Sequence, residues 1–306
     1  MKYGMSIIVR GQDAGRETFD AMAEKAEAVG LDTLWASDHL ILPPVRVSRY
    51  PGRADGQLPD AWIQAYYQPF SVLNYLAART RTVRLGTSVL IVPMRNPIEI
   101  AAQVAELDRL SEGRFDFGVG VGWFREEFEA LGYPFAERGA RTDEALALMK
   151  TLWSESEATF EGRFHRFSGA KLEPKPMQRP HPPIYVGGSS PAALRRLARF
   201  GDAWHPLKPT PDQLIEFKPA LEKALAAEGR ALNDLPIVPK VALTFQDGPP
   251  AEGQEPTEGR PQDIVDSLRR YEDAGATEFC FDVRTESLVD VLDTMERFAD
   301  EVRQKV

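Results

Sequence analysis

The chain has 306 residues, of which 43% are hydrophobic and 27% are charged, a composition typical of a globular protein. This length allows two medium-sized domains or one large α/β barrel. The formal net charge of −9 argues against a nucleic-acid-binding protein, which needs a basic face to neutralise phosphates. No apolar stretch approaches the ~20 residues that cross a bilayer, so we expect no membrane partner.

The beginning of the chain and its cysteine content both favour a cytoplasmic location. Residues 1–5 lead directly into an apolar run and contain no hydrophobic core of a signal peptide. Cys280 is the single cysteine, so an internal disulfide is impossible, although secreted proteins of this size can also lack disulfides. We therefore expect a cytoplasmic protein.

Short apolar segments alternate with amphipathic segments along the whole sequence. The apolar segments predict strands over residues 3–9, 33–36, 83–92, 115–121, 184–186, 203–204, 237–245 and 277–283. The amphipathic segments predict helices over residues 16–29, 71–78, from 97 onwards, and over 137–153, 191–200, 211–227, 261–274 and 288–302.

The length and polarity of these segments determine the predicted fold. Strands this short and this apolar are typical of a parallel sheet that is covered on both faces. About eight β-then-α units close into a barrel more readily than they spread as an open sheet. No compositional break marks a linker. The sequence therefore predicts an α/β fold with one (β/α)8 TIM-barrel domain over residues 1–306.

Three insertions interrupt the alternation and are expected at the carboxyl-terminal face of the barrel. Residues 42–68 follow the second strand and would lie over the catalytic mouth. The aromatic residues of this insertion are Tyr50, Trp62, Tyr66 and Tyr67. Residues 157–183 contain a predicted hairpin and a proline-rich tether. Residues 246–260 are acidic and rich in proline and glycine, which predicts a flap after the seventh strand.

Polar residues follow the second strand, where barrel enzymes place catalytic groups. Asp38 and His39 come directly after the apolar run that ends at Ala36. An adjacent aspartate and histidine in this position can bind a polar ring edge or handle a proton. The alternative is that Asp38 satisfies nearby backbone donors and that His39 is a packed loop histidine.

Small, glycine-containing segments end the third and fourth strands. Residues 85–89 allow a ligand to approach the backbone closely, although a β-bulge without a ligand explains them as well. Residues 118–123 carry alternate glycines but fail the dinucleotide-binding fingerprint, because Trp123 stands where its third glycine is required. This pattern suits a flat ring lying against the backbone at a barrel mouth. The charges that follow, Glu126 and Glu127, are also explained by a solvated helix surface.

The segment after the fifth predicted strand is the best candidate for an anion site. It reads Gly187-Gly-Ser-Ser190, and a helix is predicted from Pro191. Free backbone N–H groups and the positive end of the helix would hold a phosphate, with both hydroxyl groups as further donors. The alternative is an ordinary N-cap whose glycines allow a tight turn. We favour the phosphate site.

The other reactive residue types form no recognisable site. The histidines at positions 39, 165, 181 and 205 show no spacing typical of metal ligands, so we expect no metal. No serine lies in a nucleophile-elbow motif. Cys280 lies in an apolar strand and is interpreted as a core residue.

Four segments resemble the bacterial luciferase-like oxidoreductases, a barrel family that uses FMN or the deazaflavin F420. They are Trp35-Ala-Ser-Asp-His-Leu40, Leu85-Gly-Thr-Ser-Val-Leu90, Leu110-Ser-Glu-Gly-Arg-Phe-Asp-Phe-Gly-Val-Gly-Val-Gly-Trp123, and Glu173-Pro-Lys-Pro176 running to Gly187-Gly-Ser-Ser190. They occur in the expected order and span nearly the whole chain. The resemblance implies a TIM barrel, a bound cofactor and a homodimer.

The resemblance also implies roles for individual residues. Asp38 and His39 match the pair near the deazaflavin ring of F420-using members. Ser88 and Val89 match a non-prolyl cis peptide bond, which forms a bulge behind the cofactor ring. The implied cofactor-binding residues are Ser37, Asp38, His39, Thr87, Ser88, Val89, Val121, Gly122, Gly187, Gly188, Ser189 and Ser190.

Related F420 enzymes use an acid just after the glycine segment as proton donor. Here that stretch reads Gly122-Trp-Phe-Arg-Glu126-Glu127, which departs from the family's pattern, so the role of the acid does not transfer cleanly to Glu126 or Glu127. Glu126 is retained as a catalytic candidate beside His39 and Asp38. His39 is the first candidate for proton transfer, and Asp38 is expected to fix its orientation.

The sequence therefore predicts an F420-dependent oxidoreductase that transfers a hydride between F420 and a small organic substrate. The substrate would bind over the reactive face of the cofactor, under residues 42–68. An FMN-dependent monooxygenase that uses reduced flavin and O2 is one alternative. F420 carries an acidic tail, so a basic track from the phosphate site towards solvent would favour F420. A non-catalytic flavin- or deazaflavin-binding protein is a second alternative.

Overall fold

The predicted alternation of strands and helices is present in the structure, a computed structural model that describes residues 1–44, 46–53, 55–58, 65–248, 251, 254, 256–283, 285 and 287–306. The strands are β1 Lys2–Ser6, β2 Thr33–Ala36, β3 Arg84–Thr87, β4 Leu90–Ile91, β5 Phe115–Gly120, β6 Ala158–Glu161, β7 Arg166–Ala170, β8 Ile184–Gly187, β9 Ala203–His205, β10 Lys240–Ala242, β11 Thr244–Phe245, β12 Glu258–Gly259 and β13 Glu278–Asp282.

The helices are α1 Arg16–Ala28, α2 Pro69–Arg79, α3 Pro97–Leu110, α4 Arg125–Ala130, α5 Arg138–Ser154, α6 Pro191–Phe200, α7 Pro211–Ala227, α8 Pro261–Asp273 and α9 Leu288–Arg297. Proline is the first residue of α2, α3, α6, α7 and α8. Its fixed φ and missing N–H suit that position, where the N–H has no partner within the helix. In the described part of the chain, no helix has both the length and the apolar character required to span a membrane.

Eight parallel strands form a nearly closed barrel in the order β1, β2, β3, β5, β8, β9, β10 and β13. β13 pairs with β1 on one side and with β10 on the other. β9 meets β10 through isolated bridges, Trp204 with Ile237 and Leu207 with Lys240. The arrangement confirms the predicted (β/α)8 barrel, which places the carboxyl-terminal ends of all eight strands at one face.

Large side chains fill the barrel interior, and glycines make room for them. Trp35 is 1% exposed and Cys280 is fully buried in the same cluster, which confirms Cys280 as a core residue. A Cβ atom at Gly86 would lie 2.3 Å from the Trp35 ring, and one at Gly118 would lie 1.7 Å from the carbonyl oxygen of Thr87. These strands approach too closely for any side chain, so glycine is required at both positions.

Two predicted strands are interrupted in the structure. The run 83–92 divides into β3 and β4 at the Ser88–Val89 peptide bond, which is cis. The cis bond implied by the resemblance is thereby confirmed. The run 237–245 forms β10 and β11, and β11 turns away from the barrel to pair with β12, which ends the 246–260 insertion.

The insertion at 157–183 contains the predicted hairpin, formed by the antiparallel strands β6 and β7. Glu144 of α5 anchors its turn by accepting the backbone N–H groups of Arg163, Phe164 and His165. Residues 42–44, 46–53, 55–58 and 65–68 are the described parts of the 42–68 insertion. The predicted loop aromatic Trp62 lies outside the described residues.

Candidate active site

A cavity of about 450 Å³ opens at the carboxyl-terminal ends of the strands, which is a usual size for a small-molecule site. Its lining includes most of the residues predicted to bind a cofactor: Ser37, Asp38, His39, Ser88, Val89, Val121, Gly122, Gly187, Gly188 and Ser189. Tyr50, Pro51 and Tyr66 of the 42–68 insertion also line it. These three residues place part of the insertion at the cavity, and the expectation that the insertion covers the mouth stays a prediction.

Two predicted cofactor residues do not line the cavity. Thr87 is fully buried, and its Oγ1 donates to the carbonyl oxygen of Gly118 at 2.7 Å. Ser190 is the N-cap of α6, where its Oγ accepts the N–H of Ala193 at 3.2 Å. Both residues therefore support the cavity wall from outside.

His39 is oriented by a carboxylate from α4. Its Nδ1 lies 2.7 Å from Oε2 of Glu127, a residue that is 1% exposed. Oε1 of Glu127 accepts the N–H groups of Leu40 at 2.6 Å and Ile41 at 3.2 Å. Within the described residues, His39 Nε2 has no hydrogen-bond partner, which leaves that nitrogen for the cavity.

Asp38 has a different role from the one predicted, because its carboxylate is bound to Arg95. Oδ1 accepts from Arg95 Nη2 at 2.6 Å, and Oδ2 accepts from Arg95 Nη1 and from the N–H of Ile91, both at 2.8 Å. The expectation that Asp38 orients His39 is corrected: Glu127 does so. Asp38 instead joins the end of β2 to β4, and its interpretation as an acceptor of backbone donors is correct in part.

Glu126, the predicted catalytic acid, lies outside the cavity. Its Oε1 accepts the N–H of Val47 and the N–H of Ser48, the latter at 2.9 Å. Burial raises the pKa of Glu126, but the hydrogen bonds from Ser48 and Val47 outweigh burial and lower it to about 2. A carboxylate in this state anchors the loop and is not a proton donor at neutral pH.

A buried polar network lies below the cis peptide bond. His205 Nδ1 is 2.6 Å from the carbonyl oxygen of Val238, so Nδ1 carries the hydrogen, and Nε2 accepts from Ser88 Oγ at 2.8 Å. Cys280 Sγ donates to Ser88 Oγ at 3.6 Å. Burial lowers the pKa of His205 to about 4, so its ring is neutral at physiological pH.

Glycines give the cavity a wall of bare backbone around Val89. A Cβ atom at Gly120 would lie 2.5 Å from Val89 Cγ2, and one at Gly187 would lie 3.3 Å from Val89 Cγ1. The bulge at Ser88–Val89 therefore packs against two glycine-containing strands. Gly120 and Gly187 thus make room for the Val89 side chain, and all three residues line the cavity.

The loop after β8 offers unused backbone donors. Gly188 adopts φ +94°, and its carbonyl oxygen accepts from Trp204 Nε1 at 2.8 Å. The N–H groups of Gly188, Ser189 and Ser190 donate to no other residue in the described ranges. They precede the first turn of α6, where the helix dipole favours an anion.

Three further charged residues line the cavity and were not predicted from the sequence. Arg10 Nη2 lies 3.9 Å from Asp282 Oδ1, and Lys240 Nζ donates to the carbonyl oxygen of Ser88 at 3.3 Å. Their position at or just after the barrel strands is the signal that could have identified them. In the part of the chain that the structure describes, no group of three or more His, Cys, Asp or Glu side chains could hold a metal ion.

Two arginines stand together beside the glycine wall. Arg138 Nε donates to the carbonyl oxygen of Gly122 at 3.3 Å. Arg125 and Arg138 lie 4.5 and 3.9 Å from the centre of the Phe135 ring. Burial and the proximity of Arg125 lower the pKa of Arg138. Neither guanidinium forms an ion pair with any residue that the structure describes, so positive charge lies beside Gly122, which lines the cavity.

Comparison with known proteins identifies relatives over the whole chain. A family model described as luciferase-like monooxygenase matches residues 1–252. An uncharacterized protein of Mycobacterium tuberculosis is 32% identical over 300 residues, which are 98% of each chain. The F420-dependent glucose-6-phosphate dehydrogenase of Kineococcus radiotolerans is 36% identical over 233 residues, 74% of this chain and 64% of that protein.

Among solved structures, the monooxygenase RslO1 of Streptomyces bottropensis superimposes with a TM-score of 0.81. The two sequences are 23% identical, and the match covers 98% of each chain. At this identity the likeness establishes the shared fold alone.

Proposed function

The chain belongs to the luciferase-like monooxygenase family, and from this premise we propose that it is an F420-dependent oxidoreductase. It transfers a hydride between F420 and a small organic substrate. Members of this family are enzymes, and those named above include an F420-dependent dehydrogenase and a monooxygenase. The choice between deazaflavin and flavin rests on the residues around the cavity.

The cavity fits a cofactor that has a flat ring and a phosphate. Val121 and Gly122 would offer backbone to the ring, and the bulge at Val89, which packs against Gly120 and Gly187, lines the same cavity. The free N–H groups of Gly188 and Ser189 would hold the phosphate at the start of α6. These features support a flavin and a deazaflavin equally.

The observation that carries the proposal of F420 is the pair Arg125 and Arg138 beside Gly122. F420 has an acidic tail, whereas FMN ends at its phosphate. Two guanidinium groups without a carboxylate partner in the described chain offer that tail a complementary charge. A basic track from the phosphate site towards solvent would favour F420, and we propose that these two arginines belong to it.

The protein contributes positioning and proton transfer to the reaction. When bound, F420 supplies a ring that accepts or returns a hydride. His39 Nε2 accepts a proton from the substrate in one direction and returns it in the other. Tyr50, whose ring lies 5.3 Å from that of Trp123, lines the cavity and would limit the access of water to a bound substrate.

The second candidate is an FMN-dependent monooxygenase. The monooxygenase RslO1 shares the fold, and the loop at 187–190 suits the phosphate of FMN as well. In this alternative, Arg125 and Arg138 have no acidic tail to bind. If the protein binds F420, removal of these arginines should weaken the binding of the cofactor. If it binds FMN, their removal should leave the binding of the cofactor unchanged.

Titration of the purified protein with F420 and FMN separately, followed by fluorescence, tests the proposal. We expect tight binding of F420, and an increase of Kd of about tenfold or more when Arg125 and Arg138 are both replaced by alanine. A deazaflavin that lacks the acidic tail should bind both proteins equally. Arg166→Ala, in the exposed hairpin, is the matched control for loss of positive charge.

Other outcomes lead to other functions. Tight binding of FMN without any response to F420 contradicts the proposal and supports the monooxygenase, for which oxygen consumption is the next assay. Failure to bind either molecule contradicts both enzymes and supports the non-catalytic alternative.

A further inference from the structure

The hydrogen bond between Glu127 and His39 joins α4 to the loop after β2. We propose that Glu127 is a positioning residue that fixes His39 as the Nδ1–H tautomer, so that Nε2 presents a lone pair to the cavity. The inference rests on the proposed function for the reaction that it serves.

The donors around Glu127 determine which atom of this bond carries the hydrogen. Oε1 accepts two backbone N–H groups, those of Leu40 and Ile41. A carboxylate that receives several donors is an acceptor through both oxygens. Oε2 therefore accepts from His39, and the hydrogen lies on Nδ1. In a neutral imidazole this makes Nε2 the acceptor.

The surroundings hold the ring in this orientation. The centroid of the His39 ring lies 5.4 Å from that of Tyr66 and 6.0 Å from that of Trp123, in both cases edge to face. His39 and Glu127 are both buried, with 8% and 1% of their side chains exposed. An ion pair formed between them would be shielded from water and stronger than one at the surface.

The pair can serve the oxidation of an alcohol with balanced atoms and charges. The O–H bond of the substrate breaks and its proton goes to His39 Nε2, while the hydride leaves the same carbon for the oxidised deazaflavin. A carbonyl group forms. The positive charge that appears on the imidazole lies beside the Glu127 carboxylate, which stabilises it. In the reverse direction, the same nitrogen returns the proton.

An isosteric substitution separates this role from simple anchoring of the loop. In Glu127→Gln, the N–H groups of Leu40 and Ile41 still require an acceptor, so they select the amide oxygen. The amide NH2 group then faces His39 Nδ1 and donates to it. The hydrogen of the neutral imidazole must move to Nε2, which can no longer accept a proton.

The ¹⁵N NMR spectrum of histidine-labelled, cofactor-free protein reports the tautomer directly. We expect Nδ1–H for His39 in the wild type and Nε2–H in Glu127→Gln, with His39→Gln used to assign the signals. Glu126→Gln, the neighbouring acid that does not contact His39, should leave the wild-type tautomer unchanged. Nε2–H in the wild type, or an unchanged tautomer in Glu127→Gln, overturns the proposal. If the variant does not fold, the wild-type spectrum alone decides.

Activity provides a second measurement. Glu127→Gln should bind F420 within about threefold of the wild type and should oxidise alcohols about 10²–10⁴-fold more slowly. Equal turnover by the two proteins contradicts the role of Glu127. Because the tautomer is measured without cofactor, a failure of the protein to bind F420 would contradict the proposed function and leave the test of the His39–Glu127 pair intact.

Discussion

Asp38 and Arg95 form a bidentate ion pair at the mouth of the barrel, with N–O distances of 2.6 and 2.8 Å. The Asp38 side chain is completely buried, and 13% of the Arg95 side chain is exposed. Arg95 also donates to Gln68, whose amide donates to the carbonyl oxygen of His39. One guanidinium group thus holds together the loop after β2, the start of α2 and the end of β4.

Removing the arginine from this pair should destabilise the protein. Arg95→Ala leaves the Asp38 carboxylate buried without its countercharge, which should lower the free energy of unfolding by about 3–5 kcal/mol. Urea and thermal unfolding measure this loss. Arg53→Ala, which breaks an exposed ion pair with Asp55, should leave the melting temperature unchanged. If the free energy of unfolding of Arg95→Ala lies within about 1 kcal/mol of the wild-type value, water solvates the Asp38 carboxylate in place of the arginine.

A negative charge in the loop after β8 should prevent the binding of a phosphate. We expect Gly188→Asp to weaken the binding of F420 at least tenfold, because the carboxylate repels the phosphate at the start of α6. Gly229→Asp is the matched control, since Gly229 also has a positive φ and lies in open space. Binding is measured by fluorescence titration. If the two variants bind F420 with equal affinity, the phosphate does not bind at the loop after β8.

The loop at residues 46–53 should become mobile when its anchor is removed. Glu126→Ala deletes the acceptor of the Val47 and Ser48 N–H groups. We expect these amides to exchange with solvent about tenfold faster, since each hydrogen bond to a carboxylate contributes on the order of 1.5 kcal/mol or more. Hydrogen–deuterium exchange measures the effect, and Glu129→Ala on the same helix is the control. Unchanged exchange would mean that other contacts hold the loop.

The stability of the protein should depend on the charge of His205. Burial lowers its pKa to about 4 in the folded protein, whereas an unfolded chain has an ordinary histidine with a pKa near 6.5. Below pH 6.5 the unfolded state therefore binds the extra proton, and the free energy of unfolding falls as the pH decreases towards 4. The expected loss from this residue is about 3 kcal/mol.

Denaturant unfolding between pH 7 and pH 4 tests this dependence. His205→Asn removes the titrating group and retains an amide that can donate to the carbonyl oxygen of Val238. The variant should therefore lose less stability on acidification than the wild type. If the free energy of unfolding falls equally with pH in the variant and the wild type, His205 is not a neutral, buried residue in the folded protein.

The fold could be predicted from the sequence because its signals are local. Apolar runs and helix-starting prolines such as Pro191 and Pro261 mark the alternation, and burial on both faces explains the polarity of the strands. The interruption of the third strand at Ser88–Val89 has no local signal of this kind. It was expected from the resemblance to a known family.

The partners of the site residues could not be predicted, because they depend on contacts between distant segments. Glu127 is 88 positions from His39, and Arg95 is 57 positions from Asp38. Glu126 and Glu127 are neighbours on the short helix α4, but their side chains point in different directions. Glu127 contacts His39, whereas Glu126 contacts the loop at residues 46–53. A sequence pattern does not specify the rotation of such a helix about its axis.

β9 and β10 meet along one side of the cavity, and backbone hydrogen bonds from Trp204 to Pro236, from Val238 to Trp204 and from Lys240 to Pro206 join the two segments at this junction. The cavity extends across this junction, since His205 of β9 and Lys240 of β10 both line it. The hydrogen bond from His205 to Val238 crosses it as well. A cofactor bound in the cavity would contact both strands, so its binding should increase the free energy of unfolding of the protein.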